Sequence, residues 1–187
     1  MHIGRHIIQE LSLQFGAPVV ERWRFEMKDE EFARLRLHAE RRRTHDVSLA
    51  IVSGDDVAVI RKPAYPPAAF RLPSGGIHPE EAFLDGAVRE AYEETGLRVT
   101  FERYLLRAHV TFHHRGEESQ WTSHVMLARP ASVELHPMDT REIAEARWTS
   151  WTELVDVVNP VLRSTGLGGL AFRADLHERT RDVLQSQ

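Results

Sequence analysis

The 187-residue sequence contains no cysteine, which excludes disulfide bonds, thiolate metal sites and a thiol nucleophile. It also lacks a long apolar run. The first fourteen residues do not resemble a signal peptide, and no stretch approaches the roughly eighteen uncharged apolar residues of a membrane span. The sequence therefore predicts a cytoplasmic protein without a membrane partner.

The sequence also has no excess of positive charge, since the net charge is −4 and the isoelectric point is near 6.3. Nucleic acid is therefore not expected as a partner. The basic run Arg41–Arg43 shares its predicted helix with Glu30, Glu31 and Glu40, which favours a solvated helical face. The remaining composition is that of an ordinary globular protein, and the length favours one domain with an addition.

That addition is residues 1–44, for which the pattern predicts a short helix over Ile7–Phe15 and an extended segment after Pro18. A second helix is predicted to follow, capped by Asp29, with arginines in its last turn. Its apolar stripe is partial, so it docks either on the main domain or on a partner subunit. Residues 1–44 are thus predicted to be an extension that can form a homodimer, and residues 45–187 the main domain.

The main domain begins with alternating strand and turn signals, including a hairpin from Asp46 and a short strand at Phe70–Leu72. A proline-rich loop, residues 63–67, separates them. Two long strands joined by the turn 115–119 follow a central helix, and then come a strand over Ala146–Thr149 and helices from Thr152 onward. This order predicts an α/β sandwich with C-terminal helices.

The central helix carries glutamates 90, 93 and 94 on one face, because about 100° separates successive residues of a helix. Gly75 and Gly76 supply a tight turn before it, and Pro79 suits a first helical position. The opposite face is predicted to be buried and consists of Leu84, Val88, Ala91 and Thr95. Clustered carboxylates of this kind need a cation.

Hard oxygen ligands on a rigid helix suit Mg²⁺ or Mn²⁺, and these cations bridge to substrate phosphates. A diphosphate is therefore the expected substrate. Gly86 lies one turn before Glu90 on the carboxylate face. It leaves room either for a ligand or hydrated metal, or for close packing of the helix against a neighbour.

The register from Gly75 to Leu97 is that of a known sequence motif. It reads Gly75, five residues, Glu81, seven residues, Arg89-Glu90-Ala91, one residue, Glu93-Glu94, one residue, Gly96-Leu97. This register resembles the complete box of the Nudix hydrolase superfamily. The resemblance implies the Nudix α/β/α sandwich with a mixed central sheet.

The resemblance also implies roles for single residues. Glu90, Glu93 and Glu94 would be the principal metal ligands, with the carbonyl of Gly75 or Gly76 as a further ligand. Arg89 would orient the glutamates, Glu81 would support the loop and helix, and Gly96 would close the helix. The general base varies within the family, and four downstream candidates are Glu117, Glu118, Glu142 and Glu145.

The substrate is less defined than the chemistry. Tyr65, Phe70 and Arg71 flank the proline loop and are predicted substrate contacts. The subgroup markers of the ADP-ribose, dinucleoside-polyphosphate, coenzyme A and NADH enzymes are absent. What remains is a pyrophosphohydrolase of a nucleoside diphosphate linked to another moiety, with nucleotide sugars, ADP-ribose-like compounds and nucleoside triphosphates all open. The alternative is a non-catalytic domain that binds a nucleotide as a sensor or regulator.

Overall fold

The computed structural model describes residues 3–78 and 81–186. The helices are α1 (Arg5–Phe15), α2 (Asp29–Glu40), α3 (Phe83–Thr95), α4 (Trp151–Glu153), α5 (Asn159–Ser164) and α6 (Gly168–Gln185), with a π-helical turn over Leu154–Val158 between α4 and α5. The strands are β1 (Val19–Glu26), β2 (His45–Ser53), β3 (Asp56–Arg61), β4 (Ser74–Gly75), β5 (Val99–His114), β6 (Glu117–Pro130) and β7 (Glu145–Ser150). None of the helices in the described residues is long and apolar enough to cross a membrane.

The strands form a mixed sheet in the order β1-β5-β6-β2-β3-β7, with β4 paired to β2. β1 runs parallel to β5 and β2 runs parallel to β6, whereas the β5–β6 and β2–β3 pairs are antiparallel. The β5–β6 hairpin turns through Arg115 and Gly116, both with positive φ. The predicted mixed α/β sandwich is confirmed.

Two apolar cores lie on opposite faces of this sheet. The first core packs the sheet against α2, α5 and α6, and includes Phe32, Leu35, Leu106, Leu162 and Leu176. The second core packs the sheet against α1 and α3, and includes Leu11, Val47, Ala87, Ala91 and Met126. Burial of this apolar surface is the main term that stabilises the sandwich.

Residues 3–44 take part in both layers. β1 is an edge strand hydrogen-bonded to β5 in register from Val19–Leu106 to Glu26–His113. Leu11 of α1 is buried in the second core, and Phe32 of α2 in the first. Of the two docking alternatives for α2, the structure therefore shows docking on the main domain.

Two local predictions are corrected, and a third lies outside the described residues. α2 begins at Asp29 itself, and the Asp29 carboxylate contacts His114 and Arg115 instead of capping the helix. The short strand lies at Ser74–Gly75, not at Phe70–Leu72, where Arg71 makes only an isolated bridge to Ile60. Pro79, proposed as a first helical residue, lies outside the described residues, and α3 begins at Phe83.

Candidate active site

The three glutamates of helix α3 differ in the solvent exposure of their side chains. Phe83, Ala87 and Ala91 form its buried face, whereas Val88, predicted to be buried, is 39% exposed. The buried face is therefore rotated toward Glu94, whose side chain is 6% exposed, against 14% for Glu90 and 44% for Glu93. The helix ends where Gly96 adopts a left-handed φ of 76° and donates to the Tyr92 carbonyl, a conformation that suits glycine.

Arg89 joins the carboxylates of the box. Its Nε and Nη2 donate to the two carboxylate oxygens of Glu81 at 2.9 and 3.0 Å. Its Nη1 donates to Glu90 at 3.0 Å and to Glu93 at 2.8 Å, and Nη2 also reaches the Gly76 carbonyl at 3.0 Å. One guanidinium thereby fixes the loop, the supporting Glu81 and two glutamates of α3 relative to one another.

Glu94 belongs to a separate, sealed pair with Arg71. Nη2 of Arg71 donates to Oε1 of Glu94 at 3.2 Å, and the Ser74 amide donates to Oε2 at 2.6 Å. Nη1 of Arg71 donates to the Leu72 carbonyl and to Oγ of Ser74. Burial alone would lower the pKa of Arg71, but the Glu94 carboxylate raises it, and the pKa lies above its ordinary value.

The loop before α3 approaches these carboxylates closely. A β-carbon on Gly75 would overlap the carboxylate of Glu90, so only glycine allows the backbone and this carboxylate to lie together. A β-carbon on Gly86 would meet Glu81 and Ile77. Of the two alternatives for Gly86, the structure therefore supports close packing, and no space for a ligand lies there.

The donor set fits a hard cation. It consists of carboxylate oxygens beside the Gly75 backbone, and burial raises the pKa of Glu90 to about 7 despite the opposing effect of Arg89. A nearby divalent cation would stabilise the ionised form of this carboxylate. Within residues 3–78 and 81–186, no group of three acidic or histidine side chains is arranged to hold a metal, and Arg71 and Arg89 form ion pairs with the glutamates.

These residues border a cavity of about 680 Å³, called here the box cavity. Its floor includes Gly75, Gly76, Arg89 and glutamates 90, 93 and 94. Another part of the lining, called here the wall, comes from α2 and α6 and from the segment between α2 and β2, with side chains that include Glu31, Arg34, Leu35, His38, Arg43, Phe172 and Arg173. The extension therefore contributes a wall to the predicted site.

The predicted substrate contacts separate into two groups. Tyr65 and Arg71 line the box cavity. Phe70 is buried in the first core, 4% exposed, with the guanidinium of Arg147 4.4 Å from its ring centre. Phe70 is therefore a core residue and does not line the cavity, which corrects that prediction.

The four predicted candidates for the general base also differ in whether they line the box cavity. Glu142 lines the box cavity and pairs with Lys62 at 2.9 Å. Glu117 and Glu118 lie at the start of β6, paired with Arg36 and Arg24. Glu145 pairs with Arg61 on the neighbouring strand. Of the four, Glu142 is the one that lines the box cavity.

Several cavity residues were not predicted. Asp46 is buried and accepts from Arg173 at 2.8 Å and from Trp121 at 3.2 Å. Burial opposes ionisation of Asp46, but the Arg173 charge lowers its pKa below the usual value. Asp139 also lines the cavity, and its amide donates to the Glu93 carbonyl at 3.0 Å. An aspartate at the start of a buried strand is the only sequence signal that could have identified Asp46.

A family model described as the NUDIX domain matches residues 42–165. The chain belongs to the Nudix family, as the box predicted.

Relatives in Arabidopsis thaliana agree with this assignment. Nudix hydrolase 2 is 29% identical over 46% of this chain and 30% of its own length, and Nudix hydrolase 8 is 32% identical over 50% of this chain and 24% of its own length. The chain therefore matches less than a third of the length of these relatives.

Among solved structures, a UDP-X diphosphatase aligns with a TM-score of 0.56 at 19% identity, covering 86% of this chain and 72% of that one. A NUDIX hydrolase from Nitrosomonas europaea aligns with a TM-score of 0.54 at 15% identity, covering 77% of this chain and 89% of that one. At these identities the similarity concerns the fold.

Proposed function

We propose that the protein is a metal-dependent pyrophosphohydrolase that cleaves the anhydride of a nucleoside diphosphate linked to another moiety. One observation supports this proposal most strongly. Arg89 is hydrogen-bonded to Glu90 and Glu93, and these residues line a cavity of about 680 Å³ together with the Gly75–Gly76 loop. Such a cavity is large enough for a nucleotide. Nucleotide sugars, ADP-ribose-like compounds and nucleoside triphosphates are the candidate substrates.

Mg²⁺ or Mn²⁺ is the proposed cofactor, held by Glu90, Glu93 and Glu94 with the Gly75 carbonyl. When bound, such a cation neutralises phosphoryl charge and lowers the pKa of the attacking water. Arg89 holds Glu90 and Glu93 at the cavity floor, and Arg71 holds Glu94. Glu142 accepts the proton of the water, since it is the predicted base that lines this cavity.

The test is hydrolysis of ADP-ribose, sugar nucleotides, dinucleoside polyphosphates and nucleoside triphosphates with and without a divalent cation, with products identified. Glu93→Gln is the sharpest variant, because Glu93 is the most exposed of the three glutamates and its loss leaves the buried pair intact. Because Glu93 is a proposed metal ligand, we expect a loss of roughly a hundredfold in kcat. The matched control is Glu102→Gln, a surface glutamate paired with Arg129. Equal turnover by both variants would contradict the proposal.

The second candidate is a nucleotide sensor without turnover. It is favoured by one observation: both carboxylate oxygens of Glu94 accept hydrogen bonds from the protein. Calorimetric binding of a nucleotide by wild-type protein, with no divalent-dependent hydrolysis of any substrate in the screen, would select the sensor.

A further inference from the structure

The arginines of the box cavity differ in how they are paired. Arg71, Arg89 and Arg173 are each paired with carboxylates, namely Glu94, the box glutamates and Asp46. Arg34 and Arg43 line the same cavity, and in residues 3–78 and 81–186 neither pairs with a carboxylate. Among the residues that the structure describes, Arg34 donates only to the Glu30 carbonyl of its own helix, at 3.3 Å. These two guanidiniums are available to a ligand.

Arg43 lies against the glycine loop of the box. A β-carbon on Gly76 would overlap its guanidinium, so Arg43 crosses the loop at the point where Gly76 has no side chain. The carbonyl of Gly76 accepts a hydrogen bond from Nη2 of Arg89 at 3.0 Å. Arg43 thus lies beside the glycine loop that borders the proposed metal site.

His38 lies close to Arg43, whose amide donates to the His38 carbonyl at 2.9 Å. His38 lines the cavity, and its pKa is lowered by burial and then by the charges of Arg43, Arg41 and Lys62. The wall carries the guanidiniums of Arg34 and Arg43 and also the carboxylate of Glu31, which accepts the amides of Gly168 and Gly169, whereas the floor carries the box glutamates. A cation held by the glutamates would compensate the charge of the two phosphates of the cleaved anhydride. Arg34 and Arg43, which no carboxylate of the described residues neutralises, are a second cationic group within the same cavity.

A guanidinium presents parallel N–H groups that match two phosphate oxygens, which makes arginine suited to phosphate. We propose that Arg43, assisted by Arg34, binds a phosphate group of the substrate that lies outside the cleaved anhydride. The substrate class is therefore a nucleotide with such an additional phosphate, at the end of its polyphosphate chain or on a ribose. This inference rests on the proposed function and names the substrate class of the same site.

The first arm of the test is equilibrium binding, which needs no turnover. Two non-hydrolysable probes, α,β-methylene-ADP and bis-methylene-ATP, differ by one terminal phosphate, and calorimetry with Ca²⁺ gives the ratio of their affinities. We expect the wild type to prefer the triphosphate analogue by roughly tenfold or more, and Arg43→Ala to reduce that ratio at least fivefold, as for loss of a charge-assisted hydrogen bond. Arg43→Lys, which retains charge but not the planar fork, should retain part of the preference.

The control is Arg36→Ala, which removes the same charge from α2 at a position paired with Glu117 outside the cavity. It should show the wild-type ratio. The second arm compares binding of ADP-ribose with binding of its 2′-phosphate, and an Arg43-dependent preference there assigns the extra phosphate to the ribose. A wild-type ratio near one for both pairs of ligands, or a ratio that Arg43→Ala does not change, overturns the inference. Failure of the proposed function is distinguishable, because it appears as absent hydrolysis while these ratios are still measured.

Discussion

At the scale of single residues, the three box glutamates are held by two arginines in different surroundings. The Arg89 side chain is 25% exposed, so its bonds to Glu90 and Glu93 can exchange with a cation or a ligand. The Arg71 and Glu94 side chains are 4% and 6% exposed. Removing one partner of such a buried pair leaves an uncompensated charge and costs about 3–5 kcal/mol. Glu94→Gln therefore mixes a loss of stability with any loss of activity.

Glu142 gives the first prediction. Glu142→Gln should lower kcat by roughly a hundredfold or more with little change in the urea midpoint, because its exposed pair with Lys62 contributes little to stability. The matched control is Glu145→Gln, which removes a carboxylate three residues away that pairs with Arg61 outside the cavity. Steady-state kinetics of both variants test whether Glu142 is the general base. A kcat for Glu142→Gln within threefold of the Glu145→Gln value would exclude Glu142 as the base.

Two buried histidines give a pH prediction. Burial lowers the pKa of His177 and of His124 to about 3, from an ordinary value near 6.5. Between these values the unfolded chain binds more protons than the folded protein. Their contribution to stability is therefore complete above pH 6.5 and is lost as the pH falls toward 3, by up to about 1.4 kcal/mol per pH unit per histidine. Urea unfolding from pH 7 to pH 4 measures this slope.

The variant that isolates one histidine is His177→Gln, which should flatten the slope by about one proton. His177 accepts from the Leu72 amide and contacts Asn159, so the variant also costs stability at pH 7. The control is His136→Gln, whose side chain is 80% exposed and which should keep the wild-type slope. An NMR titration showing the His177 ring protonated near pH 6.5 in the folded protein would contradict the prediction.

The sequence specified the box residues because their spacing is local. Arg89, Glu90 and Glu93 follow from helical geometry, and Gly75 from the need for close backbone approach. Val88 was predicted to be buried and is exposed, because the sequence pattern does not show how far the buried face of α3 is rotated. Phe70 was predicted to contact substrate and is buried, because the sequence does not show which aromatic side chain packs in the core. Arg43 was interpreted as a solvated charge, since its distance from Gly76 arises only when the chain folds.

At the scale of elements, α2 is fixed to the C-terminal helices by a carboxylate. The two oxygens of Glu31 accept the amides of Gly168 and Gly169, the first residues of α6, at 3.1 and 3.0 Å. Glu31 also accepts the Lys28 amide at 3.2 Å, at the start of α2 itself. One side chain therefore satisfies the N-termini of two helices, where an anion is favoured by unpaired amides and by the helix dipole.

Glu31→Gln should accordingly destabilise the protein by about 1–3 kcal/mol, since a neutral amide replaces a charge at both helix ends. The control is Glu30→Gln, an exposed residue in the same helical turn, for which we expect a change within about 0.5 kcal/mol. Urea midpoints of the two variants provide the comparison. Equal midpoints would show that Glu31 does not fasten α2 to α6.

Strands and helices with strong periodicity were predictable from sequence, whereas their pairing was not. The run 46–53 and the long β5–β6 hairpin appear where alternation and turn residues placed them. β4 has two residues, too few for any periodic signal. The parallel pairing of β1 with β5 joins segments more than eighty residues apart, and local propensity contains no information on such partners.

At the scale of the whole molecule, residues 3–44 are integral to the sandwich described by residues 3–78 and 81–186. They supply the β1 edge strand, the buried Leu11 and Phe32 of the two cores, and a wall of the box cavity. The prediction that this extension forms a homodimer remains open. Leu13 of α1 is 88% exposed and is the natural site to alter. Sedimentation of the full chain and of Leu13→Asp tests the dimer, which is excluded if both are monomers.

Deletion of residues 1–44 tests the integration of the extension directly. Without it, β5 loses its parallel partner along eight residue pairs, and both cores are opened to water. Because a typical domain is stable by only about 5–15 kcal/mol, exposing two core faces should abolish cooperative unfolding. Tryptophan fluorescence during urea titration measures this, since Trp148 and Trp151 remain in the truncated chain. A truncated chain with a sharp transition at the full-length midpoint would show that residues 45–187 fold alone and that the extension is a separable addition.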